Sequence, residues 1–550
     1  AGASPAELIA AAYRLWGAES VGRLEGEFAF ALWDPDRGCL FLSRDGFGVR
    51  PLYYAWRDGA GGELAFASEI KGLFAFPWIA RRPSELAITE FLAGIASEAA
   101  GTPYEGIWRL PPGHWMRISA EGIDLREYWR LEAGAPLRGE DRELAGELHR
   151  RLDRAVQRRL RPGARVGVLL SGGIDSSSMA GLLRNRLGPM EPIEALSLVF
   201  PSIPECDESR FLEAVVEYAS LRLHRLRGDL LDPLEGIEQM LYRQDGLFLG
   251  YNAFLNTALY REGAASGVEL AFDGFDGDTV VSHGIERLAE LGKGFRWGQL
   301  SREARALADG HGFSVGAVWK AHVLRPLIPA PLRSVRQALR RARGVGIPAL
   351  PSRSLVRTHH LVERLDALQR RHFATAASVR GSHLLRLTAP IVSGLFEGVA
   401  KEAGWWGLEP QHPFFDREVV DWCLRLPSEQ KYRNGWTRYG LREAVRGLVP
   451  EAVRLRRDKS DQSLVLTRLL RERDRKLLLG LFGADREYVA PYVEWRELES
   501  AWQRYEAAPQ PFDAMILWRA KILALWLRGL ASGKGWMVRP PRPKEAAVRN

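Results

Sequence analysis

The chain has 550 residues, which is too long for one hydrophobic core and predicts two or three domains. Its 46% hydrophobic and 26% charged residues are typical of a globular protein. No apolar run reaches the roughly eighteen residues of a membrane span, and the N-terminus lacks a signal-peptide pattern, so we expect a cytoplasmic protein with no membrane partner. The three cysteines are widely spaced and match no zinc motif, which predicts buried structural thiols.

The net charge of +9 comes from 77 Lys and Arg against 68 Asp and Glu. An acidic ligand such as ATP or an acidic peptide would suit this excess, but so would the arginine preference of a GC-rich genome. Charge alone therefore decides nothing. Nucleic-acid binding is disfavoured because no recognisable module interleaves aromatic and basic residues.

In chain order, residues 1–131 read as β-rich. Residues 28–33 and 39–43 form a predicted hairpin around a Pro- and Gly-containing loop, and residues 51–55, 64–67 and 114–118 continue the strand pattern. Residues 132–140 read as a linker, which predicts a first domain over 1–131 and a second over 141–550.

The second part begins with helical periodicity and then alternates predicted strands with helices. The strands are expected at 166–170, 195–200 and 267–272. Strands that alternate with helices favour a parallel sheet with right-handed crossovers. Ligands of such sheets lie beyond the carboxyl ends of the strands, so the loops that follow these strands should meet at one pocket.

The stretch after the first of these strands carries the most information. Ser171, Gly172 and Gly173 form a turn between strand and helix, a geometry that points backbone N–H groups at an anion, and Ser176 opens the helix. The carboxylate of Asp175 would repel phosphate unless a divalent cation lay between them. The Gly-Lys-Ser/Thr sequence of a Walker loop is missing. The loop resembles the pyrophosphate-binding loop of the ATP pyrophosphatases.

Further motifs extend this resemblance to the asparagine synthetase superfamily over nearly the whole chain. They are residues 207–209, 274–278, 412–416, 438–442 and 454–459, with 24–34, 44–54, 66–71 and 110–113 in the N-terminal part. The resemblance implies an α/β ATP-pyrophosphatase domain, like the adenine nucleotide α-hydrolases, behind an incomplete α+β glutaminase-like domain of the N-terminal-nucleophile type.

Two differences from the usual sequence of that superfamily limit which of its activities we expect here. Its glutaminase nucleophile is an N-terminal cysteine, whereas residue 1 here is Ala and the first cysteine is Cys39 in the predicted hairpin, so this numbering does not support ammonia production. Asparagine synthetases also carry a Glu, and β-lactam synthetases a Tyr, where Phe275 stands. A phenylalanine cannot accept a proton. This pattern resembles the lasso peptide cyclases, in which the N-terminal amine of a precursor peptide attacks its own ATP-activated Asp or Glu side chain.

The resemblance assigns a role to each matching residue. Lys459 and Arg438 are expected to stabilise charge during catalysis, Asp175 and Asp278 to bind Mg²⁺, and Phe275, Asp276 and His412 to shape the peptide cavity. The residues expected to bind ATP are Leu170, Ser171, Gly172, Gly173, Asp175, Ser176, Leu198, Val199 and Gly274.

The sequence leaves three questions open. The basic, proline-broken stretch near 325–357 reads either as a mobile insert or as a solvated helix between loops. A leader-binding protein and a leader peptidase are possible further partners. The alternative function is an asparagine synthetase or β-lactam synthetase-like ligase that acts on a small molecule.

Overall fold

A computed structural model describes residues 3–57, 62–342, 346, 348–457 and 460–532. It confirms the α/β class. Within these residues no helix combines the length and the apolar character needed to cross a membrane.

Two antiparallel sheets form the N-terminal part, as the strand pattern predicts. One sheet has the spatial order Ala29–Asp34, Cys39–Arg44, His114–Ser119, Gly122–Glu127, and the other has the order Glu63–Ala67, Tyr53–Arg57, Ile107–Arg109. The predicted hairpin pairs Ala29 with Arg44 and Asp34 with Cys39. The helical segments here are Pro5–Trp16, Gly17–Arg23, Ile70–Leu73 and Glu85–Ala93.

A five-stranded parallel sheet organises the second part. Its spatial order is Arg222–Arg227, Ile193–Val199, Val166–Leu169, Leu270–Phe272, Glu409–Gln411. The chain starts in the centre, adds two strands on one side and then crosses to the other. The strand order therefore reverses at Val166–Leu169, and this reversal opens a crevice at the carboxyl ends of the central strands.

Helices cover this sheet and make up much of the rest of the described chain. Those from the linker to residue 311 are Asp141–Arg159, Ile174–Leu187, Ser209–Tyr218, Gly228–Leu230, Ile237–Arg243, Ala253–Ala265, Gly277–Val281, Arg287–Lys293 and Trp297–His311. Those after it are Val315–Val318, Trp319–Leu324, Arg325–Leu327, Ala330–Ala342, Arg353–Thr358, Leu361–Thr375, Val379–Leu387, Pro390–Trp405, Pro413–Phe415, Arg417–Arg425, Ser428–Lys431, Tyr439–Ala444, Glu451–Arg454, Ser463–Glu472, Arg475–Leu479, Gly480–Phe482, Arg486–Val489, Trp495–Ala507 and Pro511–Ala531. Two short strands, Tyr432–Arg433 and Trp436–Thr437, form a small hairpin.

Several expectations are refined by these bounds. The third parallel strand begins at Leu270 rather than 267, because Gly267 has a φ of +74° and closes the preceding turn. The described part of the 325–357 stretch is mostly helical. All three cysteines are buried, as predicted, and burial raises the pKa of Cys423 to about 12. The domain division at 132–140 stays a prediction.

The N-terminal part packs on the second part through buried polar groups. The guanidinium of Arg44 lies 2.9 Å from the carboxylate of Glu397 on helix Pro390–Trp405, and the hydroxyl of Tyr53 donates to the same carboxylate at 2.6 Å. The C-terminal helix Pro511–Ala531 is buried along most of its length and places Trp518 against Phe91. This packing positions the N-terminal sheets beside the crevice.

Candidate functional site

The predicted phosphate loop joins the central strand to helix Ile174–Leu187. Gly172 adopts a φ of +79°, and a Cβ there would lie 2.8 Å from the backbone nitrogen of Leu212, so a side chain is excluded twice over. The hydroxyl of Ser176 accepts a hydrogen bond from the Ser171 backbone and donates one to the Gly173 carbonyl, both at 3.2 Å. The loop therefore holds the N-terminus of the helix open toward the crevice, where its dipole favours an anion.

The loop after the third strand lies directly on the start of this helix. A Cβ on Gly274 would come within 2.5 Å of the Ser176 backbone nitrogen, and a Cβ on Gly277 within 3.1 Å of the Asp175 side chain. The two glycines thus allow the loop that carries Asp278 to approach Asp175. The close approach explains why this glycine-rich sequence follows the strand.

The two oxygens of the Asp175 carboxylate have different surroundings. Its Oδ2 accepts a hydrogen bond from Arg438 at 2.5 Å, while its Oδ1 is buried and has no hydrogen-bond partner among the described residues. Asp278 lies in the first turn of helix Gly277–Val281, with its Oδ2 3.6 Å from Nε2 of His283. A buried carboxylate oxygen without a partner fits a hard cation such as Mg²⁺.

No group of three or more His, Cys, Asp and Glu side chains in the described ranges is arranged to hold a metal ion by itself. Mg²⁺ commonly takes one or two carboxylates and completes its shell with water and substrate phosphates. Asp175 and Asp278 are the residues that would hold such an ion. The donor set present therefore fits a metal that arrives with a nucleotide.

A cavity of about 370 Å³ opens at the crevice, within the range of ligand sites. The predicted site residues on its wall are Leu170, Ser171, Gly173, Asp175, Ser176, Leu198, Gly274, Phe275, Asp276, Asp278 and Arg438. We call it the nucleotide cavity. The structure thus brings together at one place most of the residues that the sequence assigns to ATP and metal.

Three predicted residues are placed elsewhere. Val199 is buried in the hydrophobic core and is not on the cavity wall, since it points away from the side that Leu198 presents. Gly172 is buried on the side of the loop that faces Leu212 and is not on the cavity wall. His412 is 1% exposed and its Nδ1 lies 2.9 Å from Asp273, behind the ring of Phe275. Lys459 lies outside the described residues.

Sequence reasoning missed two arginines on the same wall. Arg442 is buried, and burial together with the nearby charge of Arg438 lowers its pKa to about 10. Arg456 lies 2.6 Å from Glu208 and stacks over the ring of Phe211 at 4.2 Å. Like charges gathered beside a helix N-terminus favour a polyanionic ligand. Arginines are so frequent between residues 454 and 457 that the sequence does not indicate which of them faces the cavity.

An amide-bearing face of helix Ala253–Ala265 was also missed. Asn252, Asn256 and Tyr260 follow one another at helical spacing along the cavity wall. Their spacing of four residues was visible in the sequence, but nothing there marked this helix as part of the site.

Comparisons with known proteins agree with this geometry. The asparagine synthase family profile matches residues 147–528, and the profile of a glutamine amidotransferase domain matches residues 1–129. The chain is 30% identical to amidase chry2 of Gibberella zeae over 42% of this chain and 35% of that protein. It is 29% identical to amidase chyE of Penicillium rubens over 50% of this chain and 42% of that protein.

A longer match covers asparagine synthetase [glutamine-hydrolyzing] 1 of Bacillus subtilis, at 24% identity over 82% of this chain and 70% of that protein. By contrast, the chain spans less than half the length of the two fungal amidases. The profile that covers 147–528 includes the phosphate loop, the aspartates and the arginines of the nucleotide cavity. The chain therefore belongs to the asparagine synthase family.

Proposed function

We propose that the chain is an ATP-dependent ligase that forms an amide bond and releases AMP and pyrophosphate. In the first step a substrate carboxylate oxygen bonds to the α-phosphorus of ATP, and pyrophosphate leaves. In the second step an amine bonds to the acyl carbon, AMP leaves with the electron pair of the broken acyl–oxygen bond, and the amine loses a proton. The arginines of the nucleotide cavity and the helix N-terminus support both steps, because negative charge develops on phosphate and acyl oxygens.

Individual residues support parts of this proposal. Mg²⁺ held by Asp175 and Asp278 would draw charge from the leaving pyrophosphate. Ser171, Gly173 and Ser176 would donate hydrogen bonds to phosphate oxygens. Arg456 and Ser460 both contact Glu208 and line the nucleotide cavity. For Lys459, which precedes Ser460 in the sequence, we propose a charge-stabilising role.

We propose further that the ligase is a macrolactam-forming cyclase, similar to the lasso peptide cyclases, in which both reacting groups belong to one precursor peptide. Phe275 carries this proposal. Its ring lies on the wall of the nucleotide cavity where asparagine synthetases place a carboxylate, and it packs 5.1 Å from the buried ring of Phe396 and 5.3 Å from that of His412. The phenyl ring of Phe275 offers ammonia no acceptor, whereas an amine already attached to the substrate needs only to be held near the acyl group.

The relatives keep a second function open. They include amidases and asparagine synthetases, and the asparagine synthetases favour a ligase that acts on a small molecule. Under the peptide proposal a leader-binding protein and a leader peptidase would prepare the substrate. Under the alternative neither would be needed.

The test supplies purified protein with ATP and Mg²⁺ together with either a candidate precursor peptide or free aspartate and ammonium. We expect AMP, pyrophosphate and a peptide lighter by one water in the first mixture. AMP only with aspartate and ammonium would establish the small-molecule alternative. ADP in place of AMP would contradict both, and Asp175→Ala serves as the inactive control.

A further inference from the structure

A second cavity, of about 510 Å³, lies between the N-terminal part and the second part. Its wall comes from helices Glu85–Ala93 and Pro390–Trp405, residues 95–109 and residues 244–260. We call it the interdomain cavity. It shares five wall residues with the nucleotide cavity, so that the two cavities meet along one side: Asn252, Asn256, Tyr260, Phe275 and Val399.

Most of the interdomain wall is apolar. Its contributors include Phe91, Ile95, Leu247, Phe248, Ile391 and Val399. A surface of this kind binds apolar groups by removing them from water. The chain thus carries, next to the site of proposed adenylation, a space that suits an apolar part of the substrate.

Each charged side chain on this wall already has an oppositely charged partner. The pairs are Glu397 with Arg44 and Arg109, Lys401 with Asp245, Glu402 with Arg243, Glu90 and Glu98 with Arg364, and Glu105 with Arg82. A free amino acid enters with an ammonium and a carboxylate, and each loses hydration that only an opposite charge replaces. Wall charges that already have partners disfavour such a ligand and favour an uncharged segment.

The side that the two cavities share carries uncharged hydrogen-bonding groups. Asn252 and Asn256 lie one helical turn apart at the start of helix Ala253–Ala265. The Oδ1 of Asn252 is buried and finds no hydrogen-bond partner within the described residues. A carboxamide offers one acceptor and two donors, which matches the C=O and N–H groups of a peptide main chain. The two carboxamides, one helical turn apart, therefore fit the main chain of a peptide that runs from one cavity to the other.

We propose that the interdomain cavity binds an uncharged, apolar peptide segment of the substrate, and that Asn252 and Asn256 hydrogen-bond its main chain where it enters the nucleotide cavity. The proposal rests on the proposed function, because the segment belongs to the peptide whose carboxyl group is adenylated. It adds to the proposed function a binding site for that peptide and a preference of this site for uncharged, apolar residues.

Two glycines of one helix provide a test of the cavity and its matched control. Gly394 lies on the interdomain wall, and a Cβ there would meet nothing within 4 Å. Gly404 lies on the same helix, is exposed, belongs to neither wall and has equally open surroundings. Gly394→Trp therefore fills the interdomain cavity without a backbone clash, while Gly404→Trp adds the same side chain outside it.

The probe is a pool of synthetic peptides, each with a free N-terminal amine and one glutamate, which differ in the apolar residues between them. A second pool carries Lys and Glu in place of those apolar residues. Peptides retained by the protein on ultrafiltration, without ATP, are identified by mass spectrometry. We expect the wild type and Gly404→Trp to retain apolar peptides, and Gly394→Trp to retain roughly tenfold less, a loss of about 1.4 kcal/mol.

Substitution of the asparagines tests the hydrogen bonds separately. Asn256→Leu should weaken retention roughly fivefold to tenfold, as expected for the loss of a buried hydrogen bond, and Asn256→Gln should recover part of it. No retention by the wild type, equal retention of the charged pool, or full retention by Gly394→Trp would overturn the proposal. Since retention needs no turnover, peptides that are retained but never adenylated would refute the proposed function while this binding site stands.

Discussion

Arg438 donates a hydrogen bond to Oδ2 of Asp175 and so fixes the carboxylate on the floor of the nucleotide cavity. The arginine is itself held in an uncommon conformation, with a φ of +55°, at the residue before helix Tyr439–Ala444. The pairing leaves Oδ1 of Asp175 as the oxygen available to a cation. It also brings a positive charge to the place where pyrophosphate is proposed to leave.

Replacing Arg438 with Gln should lower the rate of ATP–pyrophosphate exchange by roughly 10² to 10³, the usual cost of one donor that stabilises a developing charge. Arg438→Lys should recover part of the rate, because it keeps the charge but loses the planar fork of donors. Exchange rates are measured with saturating ATP and Mg²⁺. A Gln variant as active as the wild type would remove Arg438 from the site.

Gly274→Ala should abolish nucleotide binding while it leaves most of the fold intact. The added Cβ would lie 2.5 Å from the Ser176 backbone nitrogen, so the phosphate loop must shift away from the loop that carries Asp278. Calorimetric titration with MgATP measures the effect. Gly298→Ala on helix Trp297–His311 is the control, because its Cβ would meet nothing within 4 Å, and its affinity should match that of the wild type.

The sequence predicted the parts of the site that follow strands, for a physical reason. Leu170 through Ser176 and Gly274 through Asp278 combine a buried strand with glycines and short polar residues, and parallel strands bring such loops together. It erred at Val199. Neighbouring residues of a strand point to opposite faces, so when Leu198 lines the cavity its neighbour must enter the core.

The remaining wall residues depend on long-range packing that no local pattern encodes. Asn252 and Asn256 face the site only because helix Ala253–Ala265 packs beside strand Ile193–Val199. Arg442 and Arg456 stand among several other arginines, and only the folded chain separates them from their solvated neighbours. The same limit applies to the interdomain cavity, whose wall comes from widely separated stretches of the chain.

The buried ion pairs between the two parts predict a loss of stability in acid. Burial would raise the pKa of Glu397, but Arg109 and Arg44 outweigh it and lower the pKa from 4.5 to about 2. The carboxylate therefore stabilises the fold fully above about pH 4.5, and this contribution disappears as the pH falls toward 2. Thermal unfolding followed between pH 7 and 3 should show this decline.

Glu397→Gln should cost about 3–5 kcal/mol near neutral pH, since it leaves the buried Arg44 and the partly buried Arg109 without a carboxylate partner. It should also flatten the acid decline. Glu409→Gln is the matched control: its carboxylate pairs with Arg50 at 2.9 Å but is 36% exposed, so its loss should matter far less. Equal losses in the two variants would show that the buried network does not hold the interface.

A buried lysine predicts that stability also rises with pH on the alkaline side of neutrality. Lys431 is fully buried, with its Nζ 2.9 Å from Nδ1 of His383, and burial lowers its pKa from 10.5 to about 7. Between these two values the unfolded chain binds a proton that the folded chain does not. The stability of the fold therefore rises with pH across this window, by at most about 1.4 kcal/mol per pH unit from this group, and its cost is constant below pH 7.

Lys431→Met isolates this effect, because methionine fills a similar volume and does not titrate. Relative to the wild type, the variant should be most stable near pH 7 and should lose that advantage steadily toward pH 10. Melting temperatures of the two proteins, measured in parallel across this range, give the comparison. Curves that stay a constant distance apart would mean that Lys431 keeps its proton in the folded protein. Its charged amine would then have, among the described residues, an imidazole nitrogen and the carbonyl of Leu424 as hydrogen-bond partners.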